Sequence, residues 1–161
     1  MCFIEYSHSS YEDLVNYIQD NGGIKIFGTD DILNNKNITV LFPDNSLCFG
    51  LTYYHVGLVP QILFEYNKVF LGFDKNISII DYKSKKILVE ISAFSLFYEF
   101  IVVSERDVII VVCELEIFAF DKDVNILWKK GLKDIIVDFK IIGNYILEIK
   151  CYDGEIFIFE V

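Results

Sequence analysis

Few side chains in this sequence stand at spacings that could do chemistry. His8 and His55 are the only groups whose ordinary pKa lies near neutrality, and acid–base or nucleophilic catalysis needs such a group held beside a polarising partner. His8 sits just ahead of the serines of a helix start, and His55 follows Tyr53-Tyr54 before Gly57. Neither belongs to a motif. No Gly-x-Ser-x-Gly elbow, phosphate-binding glycine loop or dinucleotide fingerprint is present, so no catalytic residue is named and the chain is expected not to be an enzyme. A small hydrolase or ligand-binding β domain would need a pocket lined by His55 and two carboxylates.

Carboxylates are plentiful. Glu114 and Glu116 stand at i, i+2, a spacing that puts two side chains on one face of a strand. The pair could form an acidic ridge for a cationic partner or the two acids of a glycosidase. The ordinary alternative is the solvent face of a half-buried sheet. Asp121 with Asp123, and Asp153 with Glu155, mark turns, where Asp bonds the local backbone, and none has calcium-loop spacing. Cys2, Cys48, Cys113 and Cys151 are scattered and form no CxxC pair, so neither zinc nor a disulfide framework is expected. They read as free thiols, with Cys113 and Cys151 in or beside the core. No cofactor is expected.

The formal net charge is −10, from 14 basic and 24 acidic residues. A phosphate backbone is bound by cationic patches, so nucleic acid is not an expected ligand. A basic protein partner is, because the same field would raise its rate of encounter. At 53% hydrophobic residues the chain lies outside the disordered class. It nevertheless lacks the run of about 20 apolar residues that spans a bilayer. The densest run, Val108 to Cys113, is closed by Glu114 and reads as a buried strand. The start of the chain has no basic segment followed by an apolar one, so a cytoplasmic location and no membrane partner are expected. Phe94, Phe97, Tyr98 and Phe100 read as packing residues, and Trp128 as buried with its N–H seeking a partner.

The positioning elements follow from periodicity. Tyr11, Leu14, Val15 and Ile18 fall at i, i+3, i+4 and i+7, Ser9 and Glu12 have capping-box spacing, and Gly22-Gly23 ends the pattern. One surface helix over 9–21 is predicted. Short strands follow at 24–27, 38–42, 47–53, 61–66, 68–73, 76–81, 86–91, 97–103, 107–113, 115–120, 125–129, 135–141, 145–151 and 155–160, with gaps too short for parallel crossovers. A single domain over 1–161 is expected, with the helix and first strands in 1–66 and a repeat in 67–161. Val69–Phe73 leads to Ile77–Asp81 and Ile87–Val89; Val108–Val112 leads to Ile117–Asp121 and Ile126–Trp128; Tyr145–Ile149 leads to Ile156–Glu160. A period near 40 residues with several short strands is that of a propeller blade. Two and a half units are fewer than the four blades of a closed propeller. Either the N-terminal third adds a degenerate unit, or the repeats form an open antiparallel meander with the helix as cap, and the second is the expected, mainly β architecture.

The phrase Asp121-Lys122-Asp123-Val124-Asn125-Ile126-Leu127-Trp128 resembles quinoprotein-like and WD-like propeller blades. Ile101–Glu105, Glu114–Asp121 and Ile126–Trp128, within 67–161, also resemble small acidic bacterial immunity proteins of contact-dependent and polymorphic toxin systems. That resemblance implies an antitoxin that neutralises a toxin such as a nuclease by laying carboxylates such as Glu114, Glu116, Asp121 and Asp123 over its cationic cleft. The alternative is a propeller-like adaptor or scaffold for a peptide or protein partner.

Overall fold

A computed structural model describes residues 2–29, 35–43, 46–54, 58–143 and 145–160. The protein is mainly β, with one helix and four small sheets. The strands are β1 (Ile4–His8), β2 (Ile26–Phe27), β3 (Asn35–Leu41), β4 (Cys48–Tyr54), β5 (Gln61–Glu65), β6 (Lys68–Phe73), β7 (Asn76–Asp81), β8 (Ile87–Ser92), β9 (Phe97–Val103), β10 (Val108–Cys113), β11 (Glu116–Asp121), β12 (Ile126–Gly131), β13 (Ile136–Ile142), β14 (Ile146–Cys151) and β15 (Ile156–Glu160). Helix α1 is Tyr11–Asp20. The sheets run β1-β3-β4-β2 (sheet A), β5-β6-β7-β8 (B), β9-β10-β11-β12 (C) and β13-β14-β15 (D). Among the described residues no ladder joins them into a closed barrel. The chain forms two compact units, residues 1–74 with 78–90, and residues 75–77 with 91–161.

In the first unit, sheets A and B share a core of Phe27, Val40, Phe49, Leu51, Leu71 and their neighbours. The N-terminal third therefore does build a sheet. It is no meander, because β2 pairs in parallel with β4, Ile26 beside Gly50. On the other face of sheet A lies α1, whose Leu14 and Ile18 pack with Cys48. Gly50 permits this approach: a Cβ there would come within 2.8 Å of Ile26 Cγ1 and 3.1 Å of Leu14 Cδ1. The helix starts one residue later than its spacing suggests. Ser10, not Ser9, is the N-cap and accepts from the Asp13 N–H at 3.1 Å, while the Ser9 hydroxyl donates to the Asp13 carboxylate. Strand β1, absent from the sequence reading, pairs along its length with β3.

Sheets B and C are the four-stranded meanders that the repeat announced, and D is the three-stranded one. Each gains a leading strand, β5, β9 or β13. The acid that closes the second strand of a unit has a local job. Asp81 Oδ1 accepts from the Ser84 N–H at 2.7 Å; Asp121 Oδ1 accepts from the Asp123 and Asn125 N–H groups at 2.9 and 2.8 Å. Both capped turns hand the chain to the next strand. The Tyr66-Asn67 connection, with φ of 52° and 57°, is the left-handed two-residue turn that matches strand twist. In the second unit, Ile110, Val112, Ile117, Ala119, Leu147 and Ile149 join sheets C and D in one core. Phe97 and Phe100 are buried as expected, but Phe94 is 76% exposed, because it lies in the connection before β9 and only its N–H is held.

Candidate interaction surface

The structure separates the four carboxylates expected to meet a partner. Glu114 is a partly exposed residue of the two-residue connection between β10 and β11, and β11 begins only at Glu116. Glu116 is 3% exposed. Its Oε1 accepts from the Phe94 N–H at 2.5 Å and its Oε2 meets Lys129 Nζ at 2.5 Å. The expected ridge of Glu114 and Glu116 does not exist. The i, i+2 argument fails because the face of β11 that carries Glu116, Phe118 and Phe120 is itself buried. Asp121 lies at the other end of β11, about 17 Å from Glu116 at strand rise. The Asn125 side chain and backbone hold its carboxyl below the usual range, so it is occupied in its own turn, and only Asp123 stands exposed.

Other acids are brought together instead. Burial raises the pKa of the Cys151 thiol, and Asp153, Asp134 and Glu155 push it further, which places these three carboxylates around one end of sheet D. The Tyr152 N–H donates to Ile135 O and the Ile136 N–H to Glu114 O, so Glu114 belongs to the same end. Only Asp153 and Glu155 were visible as a pair in the sequence; long-range strand register supplies the rest. Cys48, Cys113 and Cys151 are buried free thiols, and burial, with Glu116 adding, pushes Cys113 up to about 12.

Sheet D carries exposed apolar residues on the face turned away from its core. Leu147, Ile149 and Cys151 of β14 point into the core, and Ile146, Glu148 and Lys150 point away from it. Register sets Ile142 opposite Ile146, and Glu148 between Lys140 and Ile158. Ile158 is 66% exposed and Ile156 58%, with Ile142 and Ile146 also exposed beside them. The Lys140–Glu148 pair, 2.9 Å apart, crosses the middle of this face. Beside β15 a groove of about 400 Å³ is lined by Trp128, Lys129, Lys130, Ile158, Phe159 and Glu160. Trp128 is half-buried rather than buried, and its ring stacks on Phe159 at 6.2 Å.

His8 adds no site. His8 Nε2 and Thr39 Oγ1 are 2.8 Å apart, and the ring lies against Tyr17. His55 lies outside the described residues. Among the described residues no cluster of His, Cys, Asp and Glu could hold a metal ion, and no helix is long and apolar enough to cross a membrane.

No family model matches the chain, and no curated protein sequence does. Solved structures do. The computationally designed Ika4 protein superposes with a TM-score of 0.51 at 14% identity, over 84% of this chain and 88% of that one. BamB from Moraxella catarrhalis gives 0.51 at 10% identity, over 83% of this chain and 43% of that one. The designed Ika8 protein gives 0.50 at 13%, over 84% and 48%. The chain thus spans about half the length of the latter two. At these identities the likeness is one of fold, and the class it defines is a mainly β, propeller-like array of small antiparallel sheets.

Proposed function

We propose that the chain is a non-catalytic, protein-binding scaffold of propeller-like kind that presents the open face of sheet D to a protein partner. The supporting observation is the two pairs of exposed isoleucines on that face, Ile142 with Ile146 and Ile156 with Ile158, set among Asp138, Lys140, Glu148, Lys150 and Glu160, a mixture of apolar and charged side chains that a protein partner can match. The chain immobilised as bait in an extract of its host should retain a partner. The double substitution Ile142→Lys and Ile146→Lys, on directly opposed residues of β13 and β14, should release it. Retention undiminished by that variant would remove the face from the interface.

A narrower form of this reading is an immunity protein that neutralises a basic toxin domain in the bacterial cytoplasm. The net charge of −10 supports it. Its contact residues would then be Glu114, Asp134, Asp153 and Glu155 at one end of sheet D rather than Glu116, which is buried. Association with a basic toxin should slow as salt rises, and reversal of Asp153 and Glu155 to Lys should slow it further. A salt-independent rate would discard this form and leave the scaffold.

A further inference from the structure

Phe94 is 76% exposed, yet the backbone on both sides of it is pinned. The Ala93 N–H donates to Lys75 O at 2.6 Å and the Phe94 N–H to Glu116 Oε1 at 2.5 Å. Next in the chain, the buried Ser95 hydroxyl accepts from the Leu115 N–H at 2.8 Å, and Leu96 O accepts from the Glu114 N–H at 2.7 Å. A buried carboxylate is a costly acceptor, because a charge resists leaving water. Here Glu116 fixes the backbone of a residue whose ring meets solvent.

The same bonding continues across one end of the second unit. Glu114 O accepts from the Ile136 N–H at 2.8 Å, Leu115 O from the Leu132 N–H at 2.8 Å, and Ile135 O from the Tyr152 N–H at 2.9 Å. A belt of hydrogen bonds thus runs from the connection before β9, through those between β10 and β11 and between β12 and β13, to the β14–β15 hairpin. There Tyr152 is 79% exposed. The belt carries Glu114, Asp134, Asp153 and Glu155. Its cations are Lys75 and Lys133, since Lys129 is paired with Glu116. An exposed ring on a fixed backbone loses little freedom when it binds, and aromatic anchors carry much of the binding energy of protein interfaces.

We propose that this belt is a docking surface for a basic protein partner, in which Phe94 and Tyr152 fill apolar pockets while the carboxylates meet Lys and Arg around them. The proposal rests on the basic-partner reading of function and adds the anchors that charge alone does not supply. Carboxylates raise the rate of encounter, and buried rings slow departure.

A library of random displayed peptides, selected on the whole chain, supplies the probe. The recovered peptides should be rich in Lys and Arg with apolar residues among them. Phe94→Ala and Tyr152→Ala leave the charge unchanged and alter exposed side chains, so each should keep the wild-type circular dichroism. Each should weaken these peptides roughly tenfold or more, through faster dissociation. Asp153→Asn with Glu155→Gln should slow association at low salt and have little effect at high salt. Ile142→Ser with Ile146→Ser, on the open face of sheet D, should leave binding intact, and loss of binding there would overturn the assignment to the belt. Basic peptides that bind either alanine variant as tightly as the wild type overturn this surface and leave the basic-partner reading standing. Peptides that need both rings but carry no excess of Lys and Arg overturn the proposal together with that reading. A selection that yields no binder overturns it as well.

Discussion

Sheets A and D are both small sheets with one face in a core, and they differ in what lies on the other. On sheet A a capped ten-residue helix covers Cys48 and Gly50, with Leu14 fully buried. On sheet D the corresponding surface carries four exposed isoleucines among Asp138, Lys140, Glu148, Lys150 and Glu160. Burying one Leu or Ile is worth about 2 kcal/mol. Sheet A draws that stabilisation from its own chain, and the isoleucines of sheet D stay exposed. A repeat need not be equally finished along its length. Strands β10 and β11 are buried on both faces and read as continuous apolar runs, as such strands must. Strand β15 alternates, with Ile156 and Ile158 exposed and Phe157 and Phe159 turned toward the core.

Substitutions on the two sheets should separate accordingly. Leu14→Ala removes the centre of the helix–sheet contact and should cost about 3 kcal/mol in urea unfolding, whereas Ile156→Ala on the open face should stay within about 0.5 kcal/mol. Equal costs at the two positions would erase the distinction. Glu116→Ala strands the Phe94 N–H and deprives Lys129 of its partner, and should cost about 2 kcal/mol, discounted from a fully buried pair because Lys129 is half in water. A change near zero would return Glu116 to the surface where the sequence put it. The smallest perturbation is chemical. In the native state at pH 8 a thiol reagent should modify Cys2 alone, because Cys48, Cys113 and Cys151 are buried and burial pushes the Cys113 thiol up to about 12. All four should react in denaturant. A second fast native thiol would show that one of the cores opens.

Most of this architecture was legible because the repeat is written in local chemistry. Apolar runs set the strands, and Asp81 and Asp121 stand where a turn needs an acceptor for backbone N–H groups. What was not legible depended on distant partners. Strand β1 is short and mostly exposed, and only its ladder to β3 makes it a strand. The parallel β2–β4 pairing joins residues with a whole strand between them. Glu116 looked like a surface acid because charge is normally solvated. Its burial depends on Phe94 and Lys129, which the spacing of Glu114 and Glu116 could not reveal. The acids around Cys151 were hidden for the same reason, since register across β13, β14 and the β10–β11 connection gathers them.

Hydrogen exchange resolved to single amides, on the chain at low micromolar concentration, tests the contrast between covered and open strands most directly. The account predicts that Ile109, Ile110 and Val111 of β10 exchange only with global unfolding. It predicts that the amides of β15, whose side chains alternate between core and solvent, exchange orders of magnitude faster. Exchange along β15 as slow as along β10 would contradict it, because the two strands would then be equally covered.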